Sequence, residues 1–595
     1  MPGIQRITNE NPDVEAKVNY FIDRFNHHVL YGGSEWHMEL ENQLSLIEKI
    51  HFQLTKDPEY RVVYFDNYFA HEYFNDDEEW ESYPSYQNVR KVIIAYKSAT
   101  TEKDKKQLLN QASFVRALEK LLEELRFHMP EYLMKWLMSI FLCIHPLDEH
   151  DHINKLNLLA KLIVSEGYFS GKLLNDLNEV ITRIFYNRDE KNYGDGRFPF
   201  PAEVKKSERK KYLNARSLEN QIRGFKSVMQ ENPHSGIVIM RIFGSVRLPE
   251  DFEFEYNGVY FLGSATKKIL KVKNSIPEKK DDFAAFFKDD ECFYIAAKIE
   301  WFSFFNVKYR MRSVVAEQLD YFSSILHRNL EVDHTDSFII ATNIWKFVGG
   351  SYAFRTGAKH YQDYELEVLK DNNVHYALSK CKASPAAQHI FSIEPQLIRA
   401  LKSGVISDYW QYLESLIPLN NNGGKQIKDI VPRILLINEK NTSDNRIFRT
   451  MIDAFDLFNG GYDRLGINPK QMSGIRKKMI GKQVPEPVRK FEYPFIRELL
   501  KEHDQVIDGK YYEKARQYYH GILTEAYAIR NFDVHAGTGN NRSLIKIQKS
   551  LPGMVFRLRG LLFDEIKQHP NISMDIIISL LYEKSGKLLS AEKSK

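Results

Sequence analysis

Apolar residues recur at three- and four-residue spacing through Lys103–Met129 and Asp151–Tyr186, the rhythm of helices that bury one face. Residues 1–229 therefore read as a mostly helical region. An acidic, aromatic stretch at 75–86 (NDDEEWESYPSY) interrupts it, and a polar, basic passage at 187–230 closes it as an expected connector with one short charged helix. Near Gly236 the period changes. GIVIMRIFG, FEFEYNGVYFLG and CFYIAAKIEW are β-branched or aromatic runs broken by Pro, Gly and Asp, which predict strands near Gly236–Phe243, Phe252–Leu262 and Cys292–Trp301. An amphipathic helix at Ser313–Leu330 and a further apolar run, SFIIATN, complete a mixed α/β domain over 230–345. After a connector at 346–399 the helical rhythm returns, and residues 400–595 read as a helical bundle. Its helices are expected at Val405–Ile417, at Lys425–Ile437 (bent by Pro432), at Tyr511–Ile529 and at Leu551–Gln568. In the third of these Tyr512, Ala515, Tyr519, Ile522, Ala526 and Ile529 form a continuous apolar stripe. The fold class expected is multidomain and mainly α.

At 595 residues the chain exceeds what one hydrophobic core serves, roughly 250–300 residues, so at least two domains are required. With 38 Phe and 33 Tyr the chain has ample surface to bury, which excludes disorder over most of its length. The three cysteines, Cys143, Cys292 and Cys381, are far apart and form no C-x-x-C, so neither a disulfide framework nor a cysteine zinc site is expected. No run reaches the roughly 18 apolar residues that span a bilayer. The opening MPGIQRITNENPDVE carries no apolar signal segment, so a cytoplasmic protein without membrane partners is expected. Charge is uneven. Residues 466–595 hold 23 Lys and Arg against 14 Asp and Glu, a net of +9, whereas the whole chain carries +4. Such a basic portion suits either a polyanionic partner or a plain solvated surface.

Several chemical motifs fail on inspection. Gly167-Tyr168-Phe169-Ser170-Gly171-Lys172-Leu173 lacks one residue between its glycines and the Ser/Thr after Lys that a phosphate loop needs. His145, Asp148, His150 and His152 in HPLDEHDH have metal-ligand chemistry, but they follow a helix and adjoin Pro146, where a polar loop is expected in any case. No metal or cofactor is expected. The pattern R-x(4–6)-H occurs four times, at Arg328…His334, Arg355…His360, Arg497…His503 and Arg530…His535. The spacing alone is common, so context selects. Arg530-Asn531-Phe532-Asp533-Val534-His535-Ala536-Gly537 follows the striped helix, places Asn directly after Arg, and meets Gly two residues after His. On a regular helix residues five apart point about 140° away from each other. Convergence of Arg530 and His535 therefore needs an irregular turn, to which Asn531 and Gly537 are suited, or a second copy of the chain.

RNFDVHAG at the end of an amphipathic helix resembles the R-N-x-x-x-H motif of HEPN domains, helical ribonuclease and nucleotide-binding domains of prokaryotic defence systems. YWQYLESLIP, KQIKDIVPRILLI and the helix ending in YAIRNFDVHAG follow in the order of Apea-like HEPN domains, so the resemblance covers roughly residues 400–570. It implies a C-terminal HEPN-like bundle, a homodimer formed through it, and metal-independent endoribonuclease activity in anti-phage defence by abortive infection. Catalysis falls on Arg530, Asn531 and His535, with RNA as partner. Residues 1–229 become a sensor or regulatory region that answers a phage-derived trigger or regulatory partner. The alternative is a non-catalytic RNA-binding or scaffolding HEPN protein, in which Arg530 caps a helix C-terminus and His535 is a loop residue.

Overall fold

The computed structural model describes residues 5–6, 11–31, 41–56, 62–70, 74, 80, 83–149, 151–187, 198–215 and 217–243. It further describes 249–277, 283, 285–287, 293–303, 306–326, 330–332, 337–351, 384–417, 423–458, 469–491, 493–508, 512–536 and 544–593. Over these residues the chain is mainly helical with a small antiparallel sheet, and it divides into two compact units. One unit joins residues 1–230 to 417–565 and 575–595; the other holds 231–416 and 566–574. Residues 400–416, assigned on sequence to the C-terminal bundle, group with the sheet. The N-terminal region shares a unit with the bundle. Among the described residues no helix is long and apolar enough to cross a membrane.

In the sheet unit the strands lie where the period changes. Their order is Glu253–Tyr256, Val259–Leu262, Phe293–Trp301, His234–Phe243, Phe338–Ala341 and Phe347–Ser351, all antiparallel, with Glu331–Val332 pairing onto the end of His234–Phe243. Asn257 (φ 51°) and Gly258 (φ 77°) supply the two positive-φ residues of the tight turn that splits the run 252–262 into a hairpin. The central strands are apolar at nearly every position because both faces are covered. Val238, Met240, Ile295 and Ala297 face the helix Val307–Leu326; Ile237, Ile239, Tyr294 and Ala296 face the helix Lys267–Asn274 and Phe286. The helices Pro385–Ser403 and Ile406–Leu416 belong here too. Gly404 (φ 65°) ends the first in the left-handed conformation glycine adopts freely, and Trp410 is fully buried in the second.

In the other unit Phe21, Phe25, Phe141, Phe185 and Phe225 form one aromatic core, edge-on except for the tilted pair Phe21–Phe25. Trp80, Tyr83 and Tyr86 from the acidic aromatic stretch are buried in a second core, where Trp80 stacks on Tyr86 at 4.1 Å and on Phe74 at 5.7 Å. The passage after 187 departs from the expected connector. Leu218–Met229 is a packed helix, capped by Ser217 and burying Ile222, Phe225, Val228 and Met229. Gly224 allows its close approach, since a Cβ there would meet the Phe198 ring at 3.0 Å. The bundle helices include Gly423–Leu435, Glu439–Phe458, Pro469–Ile480, Pro494–Asp508, Tyr512–Ala536, Leu544–Gln568 and Met574–Lys593.

Candidate functional site

The helix Tyr512–Ala536 carries the Arg530 motif, and its apolar stripe explains its placement. Ala515, Tyr519, Ile522 and Ala526 are buried. Within this packed face lies a polar knot: the Tyr519 hydroxyl donates to Glu439 Oε2 at 2.6 Å, and Arg557 donates to the Tyr519 oxygen at 2.8 Å and to Glu439 Oε2 at 2.7 Å. Burial, then the Glu439 carboxylate, push the Tyr519 pKa well up, so the phenol stays protonated. Burial works against the charge of Arg557, but Tyr519 and Glu439 outweigh it and raise its pKa further. Nothing in the sequence singles out Glu439 or Arg557. Their pairing joins positions 118 residues apart, which no local period reports.

Two further contacts hold the helix nearer the motif. Gly424 abuts Tyr527, where a Cβ would approach the ring to 2.6 Å, and Lys428 Nζ lies 4.7 Å from the centre of that ring. Glu525 pairs with Lys49 Nζ at 3.0 Å, and the nearly buried Lys49 also pairs with Glu41 at 2.7 Å. The N-terminal helix Gln43–Lys56 thereby reaches the motif helix five residues before Arg530.

Arg530 is partly buried. The backbone stays helical through Ala536, so the expected irregular turn between Arg530 and His535 is absent. Neither Gly nor Pro occurs from 531 to 536, and the first breaker is Gly537, which lies outside the described residues. The side chains of Asn531 and His535 also lie outside them. His520, four residues after Arg516 on the same helix, is exposed; partial burial, then Lys428 and Arg516, lower its pKa and favour the neutral imidazole.

The other sequence candidates have structural partners. Lys172 is buried and donates to the Met229 carbonyl at 2.9 Å, closing the end of the helix Leu218–Met229. His152 is buried with Nδ1 at 3.1 Å from the Pro146 carbonyl, and His145 lies 3.5 Å from Glu149; His150 lies outside the described residues. Among the described residues no group of three or more His, Cys, Asp or Glu could hold a metal ion. His503 is buried with Nδ1 at 3.3 Å from Asp444 Oδ1. His334, Arg328 and the pair Arg355…His360 lie outside the described residues.

Comparison with family models, with curated proteins and with solved structures finds no match to this chain.

Proposed function

We propose that the chain is a metal-independent endoribonuclease effector of the HEPN type, acting in anti-phage defence, with Arg530, Asn531 and His535 as its catalytic residues. The observation that carries this reading is the R-N-x-x-x-H sequence at the C-terminal end of a helix fixed in a helical unit by Tyr519, Tyr527 and Glu525. A neutral His535 imidazole takes the ribose 2′-OH proton, the 2′ oxygen attacks phosphorus, and the P–O5′ bond breaks. The guanidinium of Arg530 holds two phosphate oxygens as charge develops, and Asn531 orients either partner. The products are a 2′,3′-cyclic phosphate and a 5′-OH end. The leaving oxygen needs a second acid. Because residues five apart on a regular helix diverge by about 140°, the reading takes that acid from His535 of a second copy, in a homodimer whose two motifs share a cleft.

The same divergence favours the second reading, a non-catalytic RNA-binding or scaffolding protein. Incubation of the full-length protein with RNA separates the two. General acid–base groups contribute about 10²–10⁴-fold, so His535→Ala should abolish cleavage while RNA binding persists. Arg530→Ala should lose cleavage and some affinity, and chelators should leave the wild type active. Wild-type protein that binds RNA and never cuts it would decide for scaffolding.

A further inference from the structure

Residues 469–490, which include Pro469–Ile480 and the short helix Glu486–Arg489, carry most of the excess positive charge of this part of the chain. Residues 469–490 contain seven Lys and Arg and a single acid, Glu486. Glu486 is taken by Lys490 at 2.6 Å. Lys477, Lys478, Lys482 and Arg489 are exposed and have no acidic partner among the described residues. Lys482 instead donates to Asn441, the neighbour in sequence of exposed Lys440, which also has no acidic partner among the described residues. The chain as a whole nearly balances its charges, 83 basic against 79 acidic residues, so an uncompensated group of five is a local excess.

Complementing a helix dipole explains only part of it. Lys477, Lys478 and Lys482 sit at the C-terminal end of Pro469–Ile480, where cations are favourable, each typically by about 0.3–1 kcal/mol. Arg489 and Lys440 belong to other helices. The apolar positions of these segments, Ile475, Met479 and Val488, are buried, leaving Ile480 as the exposed large apolar residue. A membrane-surface helix turns a whole apolar face outward, and a peptide partner needs a cluster of aromatic or aliphatic anchors; here Ile480 stands by itself among charges. Point charges on a solvated surface suit a repeating phosphate chain.

We propose that Lys440, Lys477, Lys478, Lys482 and Arg489 form a binding surface for the phosphate backbone of single-stranded RNA, separate from the Arg530 motif. The choice of RNA among polyanions rests on the ribonuclease reading; the charge argument does not. The test measures binding of a single-stranded RNA to full-length protein carrying His535→Ala, across a series of salt concentrations. Each lost phosphate contact on a single strand removes about 0.7 from the slope of log K against log salt. Adding Lys477→Ala, Lys478→Ala and Arg489→Ala should therefore flatten that slope by about 2. Lys477→Arg with Lys478→Arg should restore two thirds of the loss. Replacing exposed Lys91, Lys97 and Lys120 of the N-terminal helices by Ala should leave the slope unchanged. An unchanged slope in the triple variant, no RNA binding by the parent, or loss of binding only to anionic vesicles would overturn the proposal. Should the triple variant flatten the slope while wild-type protein never cleaves RNA, the surface stands and the ribonuclease reading falls. Should wild-type protein cleave RNA while the triple variant leaves the slope unchanged, the ribonuclease reading stands and the surface falls.

Discussion

Tyr519 shows how one side chain can serve both packing and polar satisfaction. Its ring fills the stripe of the motif helix, while its hydroxyl lies between Glu439 and Arg557, both largely withdrawn from water. Removing the hydroxyl alone takes one acceptor from Arg557 and one donor from Glu439, while the Arg557–Glu439 pair and the Ser443–Glu439 hydrogen bond remain. Tyr519→Phe is expected to cost about 1 kcal/mol, the net contribution of a hydrogen bond lost between groups that keep other partners. Tyr519→Ala adds a cavity and should cost about 3–5 kcal/mol. Lys514→Ala, on the exposed side, should stay within about 0.5 kcal/mol. Chemical denaturation of the three variants checks the order; equal losses would show that the knot does not bear on stability. His520 makes a pH prediction. Its folded pKa is lowered, so the unfolded chain binds the proton more readily. Its contribution is complete above the unfolded value, about 6.5, and is lost as pH falls toward the folded value. Because the ring is exposed, the effect is modest. The melting temperature should fall slightly between pH 7.5 and 5.5, and His520→Gln should reduce that fall.

Among elements, the helix Pro12–Tyr31 is most revealing, because its polar residues are spent on the C-terminal half of the chain. Tyr20 lies 2.7 Å from Glu498 Oε2, Asn157 donates to the same carboxylate at 3.1 Å, and Tyr493 donates to Asp23. Arg446 donates to His27 Nε2 at 3.0 Å and pairs with Glu502 at 2.9 Å, its side chain only 2% exposed. Burying charges confers stability only while they remain paired, and stranding one partner typically costs about 3–5 kcal/mol. Arg446→Ala should therefore destabilise the whole unit by that amount, read in denaturation followed by Trp fluorescence. A loss under about 1 kcal/mol would mean water reaches the network. What the sequence discloses of these elements follows from range. The strands, the Asn257-Gly258 turn and the stripe around Tyr519 are written in neighbouring residues, so alternation and helical spacing find them. The pairs Arg446–His27 and Lys49–Glu525 join positions over 400 residues apart and leave no periodic trace. Leu218–Met229 was expected only as a short charged helix of a connector, and its packed face was missed for a different reason. Its charged positions dominate composition, while Ile222, Phe225 and Val228 keep a narrow buried stripe. At the candidate site the Arg530…His535 spacing was legible, but the helix continuing to Ala536 was not, since Asn531 suggested a break that its neighbours do not make.

At the scale of the whole molecule, joining residues 1–230 and 417–565 in one unit changes what the N-terminal region can be. A detachable sensor could be removed without harm to the bundle. Here Lys49 pairs with Glu525 of the helix that bears Arg530, and Arg446 of a neighbouring bundle helix pairs with His27, so the N-terminal helices are tied into the bundle. Residues five apart on a regular helix diverge by about 140°, so the proposed site needs either a second chain or a break in the helix. In the proposed cleft shared by two copies, one His535 would remove the 2′ proton and the other would protonate the leaving 5′ oxygen. Such a site loses one of its two proton-transfer groups when a single copy is altered. Heterodimers of wild type with His535→Ala, isolated through two different affinity tags, should cleave RNA about 10²-fold or more slowly than wild type, as expected for loss of a general acid or base. Were each chain sufficient by itself, the same heterodimer would keep half the wild-type rate. Half activity would thus place base, acid and arginine in one chain and require the helix to break between Arg530 and His535 when RNA binds. A loss of two orders of magnitude, with RNA affinity unchanged, would assign the site to the pair.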